Sequence, residues 1–253
     1  MEVIGDQWIM KGCPSESPGC VHSPEAMAER ICTLGFLPLF SNAVPGFSVE
    51  ETVPPHVWWT GDPRSDPWEW RQILSRDSRL AYGKFFDRKA GFISRDWFPV
   101  FANARRDGYD FDTLCDDGLA SHRSQKLMAA FDLAEDGTGR ALLSPVLREE
   151  AGFGKGREKN FEGTLTELQM QSYLLVGDFR QRLNRRGEGY GWHLALLETP
   201  ESKWGYDFVT SAYREAPAES WARIRAQVLR CFPRAEEAAV DRLLGYRAPG
   251  ARR

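Results

Sequence analysis

Between residues 144 and 199 the spacing of hydrophobic and polar positions changes from helical to alternating. Ser144-Pro145 reads as a helix start, because a serine oxygen can cap free N–H groups and proline fits the first helical position. The short helix expected over 146–151 stops at Gly152, Gly154 and Gly156, with Lys155, Arg157 and Lys159 between and after them. Asn160 is the expected cap of a second helix from Phe161 to about Gln169, with Phe161, Leu165, Leu168 and Ser172 as its inner stripe. From Tyr173 the period becomes two. Leu174, Val176 and Asp178 alternate with Tyr173, Leu175 and Phe179, and Trp192, Leu194 and Leu196 mark a returning strand. The stretch Leu183-Asn184-Arg185-Arg186-Gly187-Glu188-Gly189 between them is a turn by composition. Helix, turn, helix, hairpin is the order of a winged helix-turn-helix, in most of its uses a nucleic-acid-binding module.

The first half repeats that order more loosely. Ser23-Pro24-Glu25 opens a helix that ends near Gly35, and residues 36–55 read as an irregular loop. Asp66-Pro67 starts a helix to about Arg76, with Glu69 placed as a capping-box carboxylate. Strands are expected over 80–86 and 90–94 around Asp87-Arg88-Lys89, and Asp96 is the expected cap of a helix with Pro99 in its first turn. Further helices are expected over 121–133, from Pro217 to Cys231, and over 235–244. The fold class is therefore α+β. Residues 1–22 form a flexible extension, 23–117 an α+β lobe, 118–200 a winged-helix unit, and 201–253 helices packing on the core. The helix-then-hairpin order in 23–117 also admits a tandem winged helix.

The chain has 253 residues, 42% hydrophobic and 27% charged, as a soluble globular protein has. No apolar run is long enough to span a bilayer, and the N-terminus is not a signal peptide. Five scattered cysteines without a secretory signal imply free thiols in a reducing cytosol, hence a cytoplasmic protein. Cys13, Cys20 and His22 match no common zinc spacing, and Asp107-Gly108-Tyr109-Asp110 is not an EF-hand, so neither a metal nor a cofactor is expected. A net charge of −3 does not advertise a nucleic-acid binder. From Arg140 to Tyr190, however, nine basic side chains stand against seven acidic ones. The excess sits on the turn and the hairpin tip, where a winged helix meets phosphates. Lys155, Arg157, Lys159, Thr164, Thr166, Arg180, Arg182, Arg185 and Arg186 are the candidate contacts, and DNA the expected partner.

Trp58, Trp59, Trp68 and Trp70 crowd one short stretch. They read chiefly as core, with one facing a pocket, although Trp58, Trp59 and Tyr173 are the candidates for stacking an extruded base. Gln169-Met170-Gln171 lies at the join of helix and strand. A wholly helical join points the two amides about 200° apart, whereas an extended one puts both on one face beside Tyr173. Glutamines that merely satisfy backbone groups at the junction are the competing reading.

Glutamine–apolar–glutamine in this setting resembles the motif of AlkZ-type winged-helix DNA glycosylases. Together with residues 161–168, Asp178-Phe179-Arg180-Gln181-Arg182, Val57-Trp58-Trp59-Thr60-Gly61-Asp62-Pro63 and Gly83-Lys84-Phe85-Phe86, the chain from Ser23 to Leu244 looks like a smaller AlkZ-related group. The resemblance implies hydrolysis of the N-glycosidic bond of an alkylated base, with Gln169 and Gln171 orienting water and stabilising an oxocarbenium-like sugar. Glu162, Glu167 and Asp178 are the nearest carboxylates if a base is needed. The AlkZ motif lies near the N-terminus in longer proteins, whereas here it lies late. A non-catalytic winged-helix regulator and an interaction protein without DNA contact are the alternatives.

Overall fold

The computed structural model describes residues 2–4, 7–131, 139–184 and 186–246. A small hairpin, β1 (Glu2–Ile4) and β2 (Gln7–Ile9), stands apart from the main sheet. The first half continues with α1 (Pro24–Leu34), β3 (Phe36–Pro38), two 3-10 turns, α2 (Pro67–Ser75), β4 (Leu80–Phe86) and β5 (Lys89–Ser94). Then come α3 (Phe98–Arg106) and α4 (Phe111–Asp116). The second half runs α5 (His122–Met128), β6 (Leu142–Leu143), α6 (Ser144–Glu150), α7 (Phe161–Met170), β7 (Leu175–Leu183) and β8 (Gly189–Glu198). Four helices close the chain: α8 (Pro200–Trp204), α9 (Tyr206–Val209), α10 (Pro217–Cys231) and α11 (Glu237–Leu244).

The architecture is α+β, with helices around one six-stranded antiparallel sheet in the order β3-β5-β4-β7-β8-β6. That order is palindromic. In each half a helix leads into a short first strand that pairs with the third, so β3 lies on β5 and β6 on β8. The halves meet where β4 and β7 pair at Tyr82↔Val176. Residues expected in two lobes thus share one sheet.

Proline starts α1, α2, α3, α6, α8 and α10, where its missing N–H is one the helix leaves unpaired anyway. Ser23 and Asp66 cap as expected, accepting from Ala26 and Trp68 N–H. Glu69 does not close a capping box on Asp66. It accepts from the Gln72 amide at 2.7 Å, while Asp66 N–H goes to Asp62. Three other expected side-chain caps are not made. α6 starts at Ser144 with Leu143 at its N-cap, Asp96 lies in a 3-10 turn before α3, and Asn160 holds the N-cap position of α7 left-handed at φ 67° with no side-chain capping bond.

β4 is buried almost throughout, as a central strand should be. The core beside it is aromatic. Phe36 packs edge-on against Phe101 at 4.8 Å and Phe47 at 5.8 Å, each ring contributing about 1.5–3 kcal/mol by burial. Residues 10–22, expected to be loose, lie against the core instead. Met10 and Val21 are buried, and Cys13 and Val21 donate backbone N–H bonds to Val53 and Thr52.

Candidate functional site

α7 carries Gln169, and Gln171 follows as its C-cap at φ −79°, ψ −2°, its N–H still donating to Glu167. The helical geometry is the one formed, so the two amides diverge and do not share a target. Gln169 is buried and fully engaged. Its Oε1 accepts the Lys84 N–H at 2.8 Å, and its Nε2 donates to the Leu165 carbonyl at 3.4 Å. Lys84 needs that acceptor. The β4–β5 register shifts between Gly83 and Phe86, and β4 meets β7 only at Tyr82, so the ladder offers Lys84 no partner. Gln171 is half-buried, and its amide makes no hydrogen bond among the described residues.

A second contact crosses the halves in the opposite sense. Arg76, the C-cap of α2, donates to the carboxylate of Asp178 on β7. Asp178 also accepts the Phe179 N–H at 2.7 Å and lies 3.0 Å from Arg180. Burial pushes the Asp178 carboxyl up, but these three donors outweigh it and hold the group below its usual range. Next to it the β7–β8 register breaks at Gly177, where a Cβ would stand 2.2 Å from Glu198 Oε1. Glycine there makes room for the Glu198 side chain. Burial pushes Glu198 up and outweighs the attraction of Lys203, whose Nζ is 3.8 Å away and donates to the Ser75 carbonyl at 2.9 Å. Burial in turn pushes Lys203 down. Asp178 and Glu198 are thus displaced in opposite directions by their surroundings, the first by its cationic partners and the second by burial. The sequence gives no local sign of Glu198 or Lys203, since both matter through contacts with β7 and α2.

The expected DNA contacts divide. Lys155, Arg157 and Lys159 are exposed and make no ion pair among the described residues, while Glu158 between them is held by Arg123 at 2.9 Å and Lys126 at 3.5 Å. Arg180, Arg182 and Arg186 are exposed on the β7–β8 hairpin, and Arg185 lies outside the described residues. Thr164 and Thr166 are buried, and their hydroxyls bond back to the Asn160 and Glu162 carbonyls. They are not available to a phosphate. What α7 turns to solvent is Glu162 and Glu167.

The stacking candidates divide as well. Trp58 is buried, and so is Tyr173, which donates to the Tyr109 carbonyl at 3.1 Å beside the Phe111 ring. Neither can meet an incoming base. Trp59 is exposed, and Trp70 is core. Two clefts, of about 440 Å³ beside Lys11, Cys13 and His56 and about 330 Å³ beside Pro45, Arg234 and Arg242, contain neither a glutamine of the motif nor a hairpin arginine.

No helix among the described residues is long and apolar enough to cross a membrane, and no group of three or more metal-ligating side chains comes together among them. No curated protein and no solved structure matches the chain. A family model described as AlkZ related matches residues 21–245, and on that match the chain belongs to the AlkZ-related family.

Proposed function

We propose that the protein binds DNA as a tandem winged helix, through the β7–β8 hairpin and the basic turn before α7. The observation that carries this is the strand pairing. Helix, short strand, helix, helix and hairpin follow in order over α5, β6, α6, α7, β7 and β8, with β6 returning onto β8. The first half has the same pairing, with 3-10 turns where α6 stands in the second. Arg180, Arg182 and Arg186 supply positive charge on the hairpin, and Lys155, Arg157 and Lys159 on the turn. The acidic outer face of α7 speaks against its lying along phosphates, so the hairpin is the principal contact. A salt-dependent binding curve on duplex DNA tests the reading. Affinity that falls linearly with log salt supports it, and the lack of any binding at low salt removes it.

Family membership favours base excision as a second reading. An alkylated purine is already a cationic leaving group, so an amide dipole can suffice to steady the developing sugar cation. With Gln169 committed to Lys84, that role falls to Gln171. Release of free base from duplexes carrying N7- or N3-alkylpurines, lost in Gln171→Ala with DNA binding intact, is the expected result. Without release from wild type, the protein is a non-catalytic binder.

A further inference from the structure

Four indoles form one array where residues 57–66, α2 and β8 meet, with the buried Trp58 ring 5.9 Å from Trp59 at one end. Trp59 and Trp68 have ring centroids 4.6 Å apart, and Trp68 meets Trp192 edge-on at 5.8 Å and 84°. The buried Arg71 guanidinium lies 3.5 Å from the Trp68 centroid and 4.5 Å from that of Phe179, which fixes Trp68 from one side. Two of the rings reach solvent. Trp192 is 69% exposed and Trp59 40%.

Trp59 is also strained. Its φ of 65° is a left-handed conformation that bulky residues avoid. The chain holds it there by bracing the following turn, with Gly61 N–H on the Asp66 carboxylate at 2.9 Å and the Thr60 hydroxyl on the Val57 carbonyl at 3.1 Å. Strain of this kind gathers at binding sites, and here it goes with a large apolar ring that stays partly exposed.

The register of the hairpin indicates which ligand. Arg182 pairs with Tyr190 and Arg180 with Leu194, so Trp192 lies in the irregular stretch of β8 between those two pairs, on the hairpin that carries both exposed arginines. Arg180 keeps 62% of its side chain exposed while lying 3.0 Å from Asp178. An aromatic face on a hairpin that carries cations suits single strands, bases on rings and phosphates on arginines. A closed duplex offers phosphates but no base faces.

We propose that Trp59 and Trp192 stack unpaired bases of single-stranded or locally opened DNA while Arg180 and Arg182 hold the adjoining phosphates. This rests on the DNA-binding reading above and adds a preference for unpaired DNA. The full-length protein is titrated with a thymidine homopolymer and with a fully paired duplex of equal length, following tryptophan fluorescence and affinity. The homopolymer quenches the fluorescence. Trp192→Ala weakens homopolymer binding about tenfold or more and leaves duplex binding unchanged, while Trp192→Phe keeps most of the affinity. Trp192→Ala that changes neither affinity, or both equally, overturns the stacking site, and a salt-dependent duplex affinity in the same experiment leaves the DNA-binding reading standing. Binding to neither probe overturns both.

Discussion

The side-chain oxygen of Gln169 accepts the backbone N–H of Lys84, 85 residues earlier, at 2.8 Å. This contact pins the end of α7 to β4. Its counterpart pins the end of α2 to β7 through Arg76 and Asp178. Each half of the palindromic sheet therefore places the end of a helix on a central strand of the other.

Gln169→Ala leaves the part-buried Lys84 N–H without its acceptor and empties a buried side-chain position, so it destabilises the fold by about 1–3 kcal/mol. Gln171→Ala, half-exposed and unbonded, changes stability by less than about 0.5 kcal/mol. Chemical denaturation of both variants checks the contrast. Equal effects would show that Gln169 does not bridge the halves.

Asp178 gives the fold a pH dependence. A carboxyl held lower in the folded chain than its ordinary 3.8 contributes stability above that value and loses it as pH falls towards the folded value. Asp178→Asn should therefore be less stable than wild type at pH 7, by about 1–3 kcal/mol, with the gap closing on acidification below about pH 4. Thermal melts across that range measure it. A gap that is constant with pH would mean that Arg76 and Arg180 do not stabilise the charged form.

Asp66 accepts N–H bonds from both Trp68 and Gly61 and is fully buried. Asp66→Ala removes a cap and the brace of the Trp59 turn together, at a cost of about 2 kcal/mol or more. Loss of the near-UV dichroism of the indole array should accompany the drop in melting temperature. A melt within error of wild type would place the start of α2 elsewhere.

Much of the fold was legible because its signals are local. Proline marked helix starts at Pro24, Pro67 and Pro217, and alternation marked β7 and β8. The site was less legible because its partners are remote. Gln169 and Gln171 look like a pair in sequence, yet Gln169 is claimed by a strand 85 residues away. Thr164 and Thr166 look like phosphate donors until the helix turns them inward and their hydroxyls find carbonyls four residues back. The Glu198–Lys203 pair depends on the space left by Gly177, which nothing in the surrounding residues announces. Trp192 carries no sign in the sequence beyond its place in a strand, and its exposure shows only once the strand is set beside α2.

Contact between the hairpin and DNA phosphates is measured most directly by duplex affinity against salt, for wild type and for Arg180→Ala/Arg182→Ala/Arg186→Ala. Wild-type affinity should fall linearly on a log–log plot, and the triple variant should bind more weakly with a slope shallower by about 2 to 3. Equal affinity and slope in the two proteins would mean that the hairpin does not touch the phosphates.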